Sequence, residues 1–144
     1  MPFPAEHREN FEVTTDDEGS SDAPVTFEAS PFGVTIDRGD ILSGSYAWDV
    51  SGAAYVTITT ATCTKYPDVA QTYMKVTGGY GGVLAMGDYC RVSRVDACNN
   101  DRFGINVDGD YTSNVTIENC LARGSLYGIY IDWADYATVK NCTA

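Results

Sequence analysis

Three cysteines, Cys98, Cys120 and Cys142, stand at intervals of 22 residues, and an aliphatic residue precedes each by three: Val95, Ile117 and Val139. Upstream of each phrase lies a Gly-aliphatic-x-aliphatic tetrad, in Gly82-Val83-Leu84-Ala85, Gly104-Ile105-Asn106-Val107 and Gly128-Ile129-Tyr130-Ile131, at steps of 22 and 24. A period in the low twenties, built from short alternating apolar runs without helical periodicity, is the pattern of a solenoid whose single coil cannot bury its own face. Strand side chains alternate, so Ile105 and Val107, like Ile129 and Ile131, share one face while Asn106 and Tyr130 take the other. Successive coils lie one strand spacing apart, about 4.8 Å. Cys98, Cys120 and Cys142 are therefore expected as one internal stack, and Val95, Ile117 and Val139 as a second.

The phrase Gly104-Ile105-Asn106-Val107 followed by Asn114-Val115-Thr116-Ile117-Glu118-Asn119-Cys120, repeated from Gly128 to Cys142, resembles the right-handed parallel β-helix repeat family. Coils of that family occur in pectate-lyase-like proteins, polysaccharide-processing enzymes and phage tailspikes. The resemblance implies an all-β chain forming a right-handed, single-stranded parallel β-helix with about four coils at a 22-residue repeat. It leaves function open, because the same coil carries lyases, hydrolases, epimerases and structural spikes.

Three segments are expected along the chain. Residues 1–30 hold Glu6, Glu9, Glu12, Asp16, Asp17, Glu18 and Asp22 among scattered prolines, and read as an acidic extended arm anchored by Phe3, Phe11 and Phe27. Residues 31–46 read as an N-terminal cap over the solenoid. The β-helix then occupies 47–144, its first coil written in Ala47-Trp48-Asp49-Val50 and Tyr55 to Ala61, with Ala61 at the head of the cysteine stack. Extra sequence before Gly82 is expected to project as a loop near Tyr66-Pro67. The last residues, Asn141-Cys142-Thr143-Ala144, fall inside a repeat, so the solenoid is expected to continue beyond Ala144 or to be covered by another chain.

A net charge of −11 argues against nucleic-acid binding, which wants a basic patch. No apolar run is long enough to span a membrane, and the first ten residues lack the basic start and apolar stretch of a secretory signal. Lys65, Lys75 and Lys140 are the only lysines and aspartate outnumbers glutamate, a balance that suits either a halophilic protein or an ordinary acidic extracellular or viral one. Five cysteines without a C-x-x-C motif point to thiols kept reduced in the interior.

The candidate chemistry lies after the tetrads. Asp108 and Asp132 follow Val107 and Ile131, so both carboxylates are expected outside on neighbouring coils, with Asp110 and Asp135 at the next corner. Such a set can be a run of turn formers, a Ca²⁺ site built from Asp108, Asp110, Asp132 and Asp135, or the carboxylate pair of a glycosidase in Asp108 and Asp132. His7 is the single histidine, which leaves no His-based triad or zinc site within the chain. Tyr111, Tyr127, Tyr130, Trp133 and Tyr136 crowd the later coils and suit either a glycan or a subunit contact.

The first expectation for function is a structural virion component, a tailspike or capsid-surface appendage. It would be homotrimeric and attached to other virion proteins through residues 1–46, and a halophilic virus is the source that its charge balance suggests. A polysaccharide lyase or hydrolase and a non-catalytic glycan-binding protein of the cell surface are the alternatives.

Overall fold

Alternation along each short run decides the architecture, because every second side chain must find an interior that one coil cannot supply. The structure is a computed structural model describing residues 5–7 and 11–144, with the backbone alone for 5–7, 110 and 111. Its described strands form five coils of three. Coil 1 has β1 (Ala5–His7), β2 (Phe11–Val13) and β3 (Val25–Ala29); coil 2 has β4 (Val34–Asp40), β5 (Tyr46–Val50) and β6 (Val56–Thr60). Coil 3 follows with β7 (Met74–Gly79), β8 (Gly81–Ala85) and β9 (Arg91–Ser93). Coil 4 contains β10 (Val95–Cys98), β11 (Phe103–Ser113) and β12 (Thr116–Glu118), and coil 5 β13 (Leu121–Arg123), β14 (Tyr127–Asp135) and β15 (Thr138–Lys140).

Every third strand pairs in parallel with its counterpart, giving a first sheet β1-β4-β7-β10-β13, a second β2-β5-β8-β11-β14 and a third β3-β6-β9-β12-β15. The core runs up the middle in columns fixed by register. In the second sheet Trp48, Val83, Ile105 and Ile129 align; in the third, Phe27, Ile58, Val92, Ile117 and Val139 align. Ile36, Val76, Ala97 and Ala122 form the column of the first sheet. Most of these side chains are fully buried, and together they make one apolar core. Among the described residues, no helix is long and apolar enough to cross a membrane.

The arm and cap expected over 1–30 and 31–46 are corrected by this pairing. Phe11–Val13 and Val25–Ala29 pair with β5 and β6, and Val34–Asp40 pairs with β7, so the described part of both segments is solenoid. The acidic residues mislead because they sit where water reaches them. Glu12 and Glu28 face outward between inward Val13, Phe27 and Ala29, and Asp16 and Asp17 ride on an exposed turn capped by Thr14. Phe3 and the side chain of His7 lie outside the described residues. The count rises accordingly from four coils to five.

The two internal stacks are corrected as well. Val95 lies on β10 opposite Met74 in the first sheet, and Val92 takes the place beneath Ile117 in the third. Cys98 pairs with Arg123 and lies among Asp96, Lys75 and Arg123 on the outer side of the first sheet; burial raises its thiol pKa. Cys120 belongs to the core and Cys142 packs against it half-buried one coil further on. Their thiols donate to carbonyls of the neighbouring coils, Cys120 to Val92 and Cys142 to Ile117. Burial pushes the Cys120 thiol up to about 12, and all five cysteines are free. The extra sequence between β6 and β7 is an exposed loop over residues 64–72.

On the outer side of the third sheet Glu118 is buried between Arg91 and Lys140, whose Nζ lies 2.8 Å from it, so cations from two neighbouring coils flank one carboxylate. Burial then separates residues that the repeat makes equivalent: Ile117 is 1 % exposed and Val139 44 %. Ile117→Ala is expected to lower unfolding free energy by about 2–5 kcal/mol and Val139→Ala by roughly 1 kcal/mol or less, read from urea midpoints at unchanged m-value.

Candidate functional site

The outer face of the second sheet is where side chains excluded from the core gather into a groove. Outward positions on β11 and β14 alternate with the buried Ile105, Val107 and half-buried Ile129, and the register sets Asn106 beside Tyr130 and Asp108 beside Asp132. The two aspartates therefore sit one strand spacing apart, about 4.8 Å between backbones. The groove crosses four coils, from Tyr46 through Tyr80 and Phe103 to Tyr130, and encloses about 370 Å³.

Its aromatic side is continuous. Tyr46 meets Tyr80 at 6.1 Å between ring centroids, Tyr80 meets Phe103 at 5.6 Å, and Phe103 lies 5.7 Å from Tyr127 and 5.1 Å from Tyr130. Arg102 holds its guanidinium 5.6 Å above Phe103 and 5.9 Å above Tyr127. Gly81 makes the row possible, because a Cβ there would fall 2.2 Å from Cε1 of Tyr46. Sheet register places Tyr46, Gly81, Phe103 and Tyr127 in line, so an aromatic residue just before the tetrad is the recurring signal.

The polar side is built around Asn106, which is 2 % exposed. Its Nδ2 donates to the Tyr46 hydroxyl at 2.8 Å, while its Oδ1 is buried without a hydrogen-bond partner. An unpaired buried acceptor costs about 1–3 kcal/mol, which the core does not require at this outward position. The Tyr130 hydroxyl donates to Oδ2 of Asp132 at 3.3 Å. The Asp132 charge, with some burial, raises the Tyr130 phenol pKa, and burial raises that of Tyr46 despite the hydrogen bond from Asn106.

The expected site residues divide accordingly. Asp108, Asp132, Tyr127 and Tyr130 come together at the groove. Trp133 and Tyr136, both in the left-handed region at φ 55° and 58°, stand at the far end of β14, exposed to solvent. Asp135 is exposed at the same corner, where its carbonyl accepts from Asn114 N–H at 3.0 Å. The side chains of Asp110 and Tyr111 lie outside the described residues. Among the described residues, no group of three or more His, Cys, Asp or Glu side chains is gathered closely enough to hold a metal ion. Tyr46, Tyr80, Phe103 and Asn106 escaped the sequence reading of the site.

A family model described as the right-handed beta helix region matches residues 19–144, beginning within the segment that the structure folds into coil 1. The chain belongs to the right-handed β-helix family. No curated protein and no solved structure matches this β-helix significantly, so the family establishes the coil and leaves the groove to be read from its own side chains.

The raised Tyr46 phenol gives a pH test. A folded-state pKa above the ordinary value of 10 means that the folded state binds the proton more tightly, so its stabilising contribution is complete below pH 10 and is lost as pH rises through the folded value. Tyr46→Phe is expected to flatten the loss of stability as pH rises above the ordinary phenol value of about 10, followed by urea unfolding beside phenolate absorbance.

Proposed function

We infer that this β-helix is a non-catalytic glycan-binding module displayed on a surface, with its ligand lying across the coils in the groove of the second sheet. The observation that carries this reading is the aromatic row from Tyr46 to Tyr130, in which buried Tyr46 and Phe103 back the solvent-reaching rings of Tyr80, Tyr127 and Tyr130. Aromatic faces stack on the apolar faces of sugar rings, and a row repeated at coil spacing matches a chain of sugars better than one compact ligand. Asn106, Asp108 and Asp132 beside the row supply acceptors for the hydroxyl groups that such a chain carries.

A virion appendage or a cell surface is the setting that fits a stiff, acidic solenoid of this kind. Attachment through an arm at 1–46 loses its footing, since the described part of that segment builds coils 1 and 2. Contacts with further copies or with other proteins of the assembly fall instead to Trp133 and Tyr136, 72 % and 82 % exposed and clear of the groove.

Direct binding to an oligosaccharide array tests the reading. Replacing Tyr127 and Tyr130 together by alanine is expected to weaken binding about ten-fold, the combined scale of two stacking contacts, while Trp133→Ala leaves it unchanged. Absence of binding to every oligosaccharide would remove the glycan reading. Release of reducing ends by the unmodified chain would turn Asp108 and Asp132 into hydrolytic carboxylates.

A further inference from the structure

Hydroxyls alone do not account for the acid end of the groove. Asp108 and Asp132 occupy equivalent positions on adjacent coils, and neither carboxylate forms an ion pair with any described residue. The cation that lines the groove, Arg102, is committed to the rings of Phe103 and Tyr127. From Phe103 to Asp108 the strand advances five residues, about 16 Å, so the guanidinium lies near one end of the groove and the carboxylates near the other. Two like charges one strand spacing apart repel each other, and nothing in the fold requires them at outward positions, exposed for Asp108 and half-buried for Asp132.

The same end holds a second, independent demand for a donor. Asn106, on the strand of Asp108 and two residues before it, has its amide nitrogen engaged by Tyr46 and its buried oxygen unpaired. Asp132 already accepts from Tyr130, but a carboxylate has capacity for several donors. Three acceptors thus converge beside an aromatic wall: a buried amide oxygen and two carboxylates. A ligand rich in acceptors, such as a uronic-acid polymer, would meet repulsion there. A ligand with a positively charged donor next to a ring face would meet complementarity on both counts.

We propose that the groove selects glycans carrying a free amino group, with the ammonium between Asp108 and Asp132, a neighbouring hydroxyl directed to Asn106, and the sugar ring against Tyr130. This assignment rests on the glycan-binding reading and narrows it to amino sugars. It differs from simple attraction of cations to an acidic chain, because it requires the ring face and the charge in one place.

Titration calorimetry on the full chain, with four probes of matched length, tests it: a glucosamine hexamer, its fully N-acetylated counterpart, a galacturonate hexamer and hexalysine. The glucosamine hexamer is expected to bind about ten-fold or more tightly than each of the others, the scale of one charge-assisted hydrogen bond. Raising the salt concentration reduces that margin. Asp108→Asn with Asp132→Asn is expected to abolish the margin of the glucosamine hexamer over the N-acetylated hexamer, both measured on the variant, and a urea midpoint no lower than that of the unmodified chain confirms that it is folded. Equal or tighter binding of the N-acetylated or galacturonate hexamer overturns the amino-sugar assignment and leaves the glycan reading standing. Hexalysine binding as tightly as the glucosamine hexamer overturns it in favour of charge attraction alone, and failure of all three sugars removes both readings.

Discussion

A coil of this solenoid can satisfy neither its backbone nor its apolar side chains by itself, and every other feature depends on how the next coil is brought into register. The straight segments pair as parallel strands; the bends are the harder problem, because a corner tends to break the hydrogen-bond ladder. Here the ladder continues around the corners through residues in the left-handed region. Between the second and third sheets Tyr55, Tyr89 and Asn114 all have φ near +57° and donate their N–H to Asp88, Ser113 and Asp135 carbonyls one coil further on, at 2.9, 2.9 and 3.0 Å. Between the third and first sheets Arg94 and Asn119 do the same toward Glu118 and Lys140. The corner between the first and second sheets uses Gly78, Asn99 and Gly124. Non-glycine residues held there cost of order 1 kcal/mol each, and they persist because the hydrogen bond and the stacked core over-determine them.

That constraint explains what the sequence discloses. The second sheet was legible, since the tetrads at Gly82, Gly104 and Gly128 are true register mates: a Cβ at Gly104 would fall 2.4 Å from the Gly128 carbonyl oxygen. The third sheet was legible in part, through Ile58, Ile117 and Val139 but not Val92 between them. The first sheet was not, because β10 and β13 are only four and three residues long and follow the third sheet after one bend residue and two. Val95-x-x-Cys98 copies the spacing of Ile117-x-x-Cys120 while belonging to a different side of the triangle. The step from Val92 to Ile117 is 25 residues, lengthened where Gly109 to Tyr111 bulge opposite Trp133, so the interval of 22 from Cys98 to Cys120 tracked no single column, whereas that from Cys120 to Cys142 did.

Coil 1 was hidden for a different reason. Val25-Thr26-Phe27-Glu28-Ala29 alternates as a strand should, but acidic residues outnumber apolar ones around it, and charge in a sequence does not reveal which face carries it. At the site, adjacency of Asp108 and Asp132 followed directly from the tetrads. The wall that gives those carboxylates a context did not, since Tyr46 and Tyr80 reach it through coils whose tetrads are weak or interrupted and Asn106 reads as an ordinary outward residue.

Local propensity, alternation and packing agree along most of this chain, which makes the departures informative. Glu118 is an outward charge that the fold resolves internally, with Arg91 and Lys140 closing it from both neighbouring coils. The groove of the second sheet is left unresolved: among the described residues, a buried amide oxygen has no partner and two neighbouring carboxylates have no counter-ion, beside five aromatic rings that stand outside the central apolar cluster. The same solenoid can thus neutralise an outward carboxylate by placing cations at adjacent rungs, yet it does so at one face and omits it at another. Stability alone favours closing both faces in the same way, so the difference between them is the physical ground for placing a ligand at the second.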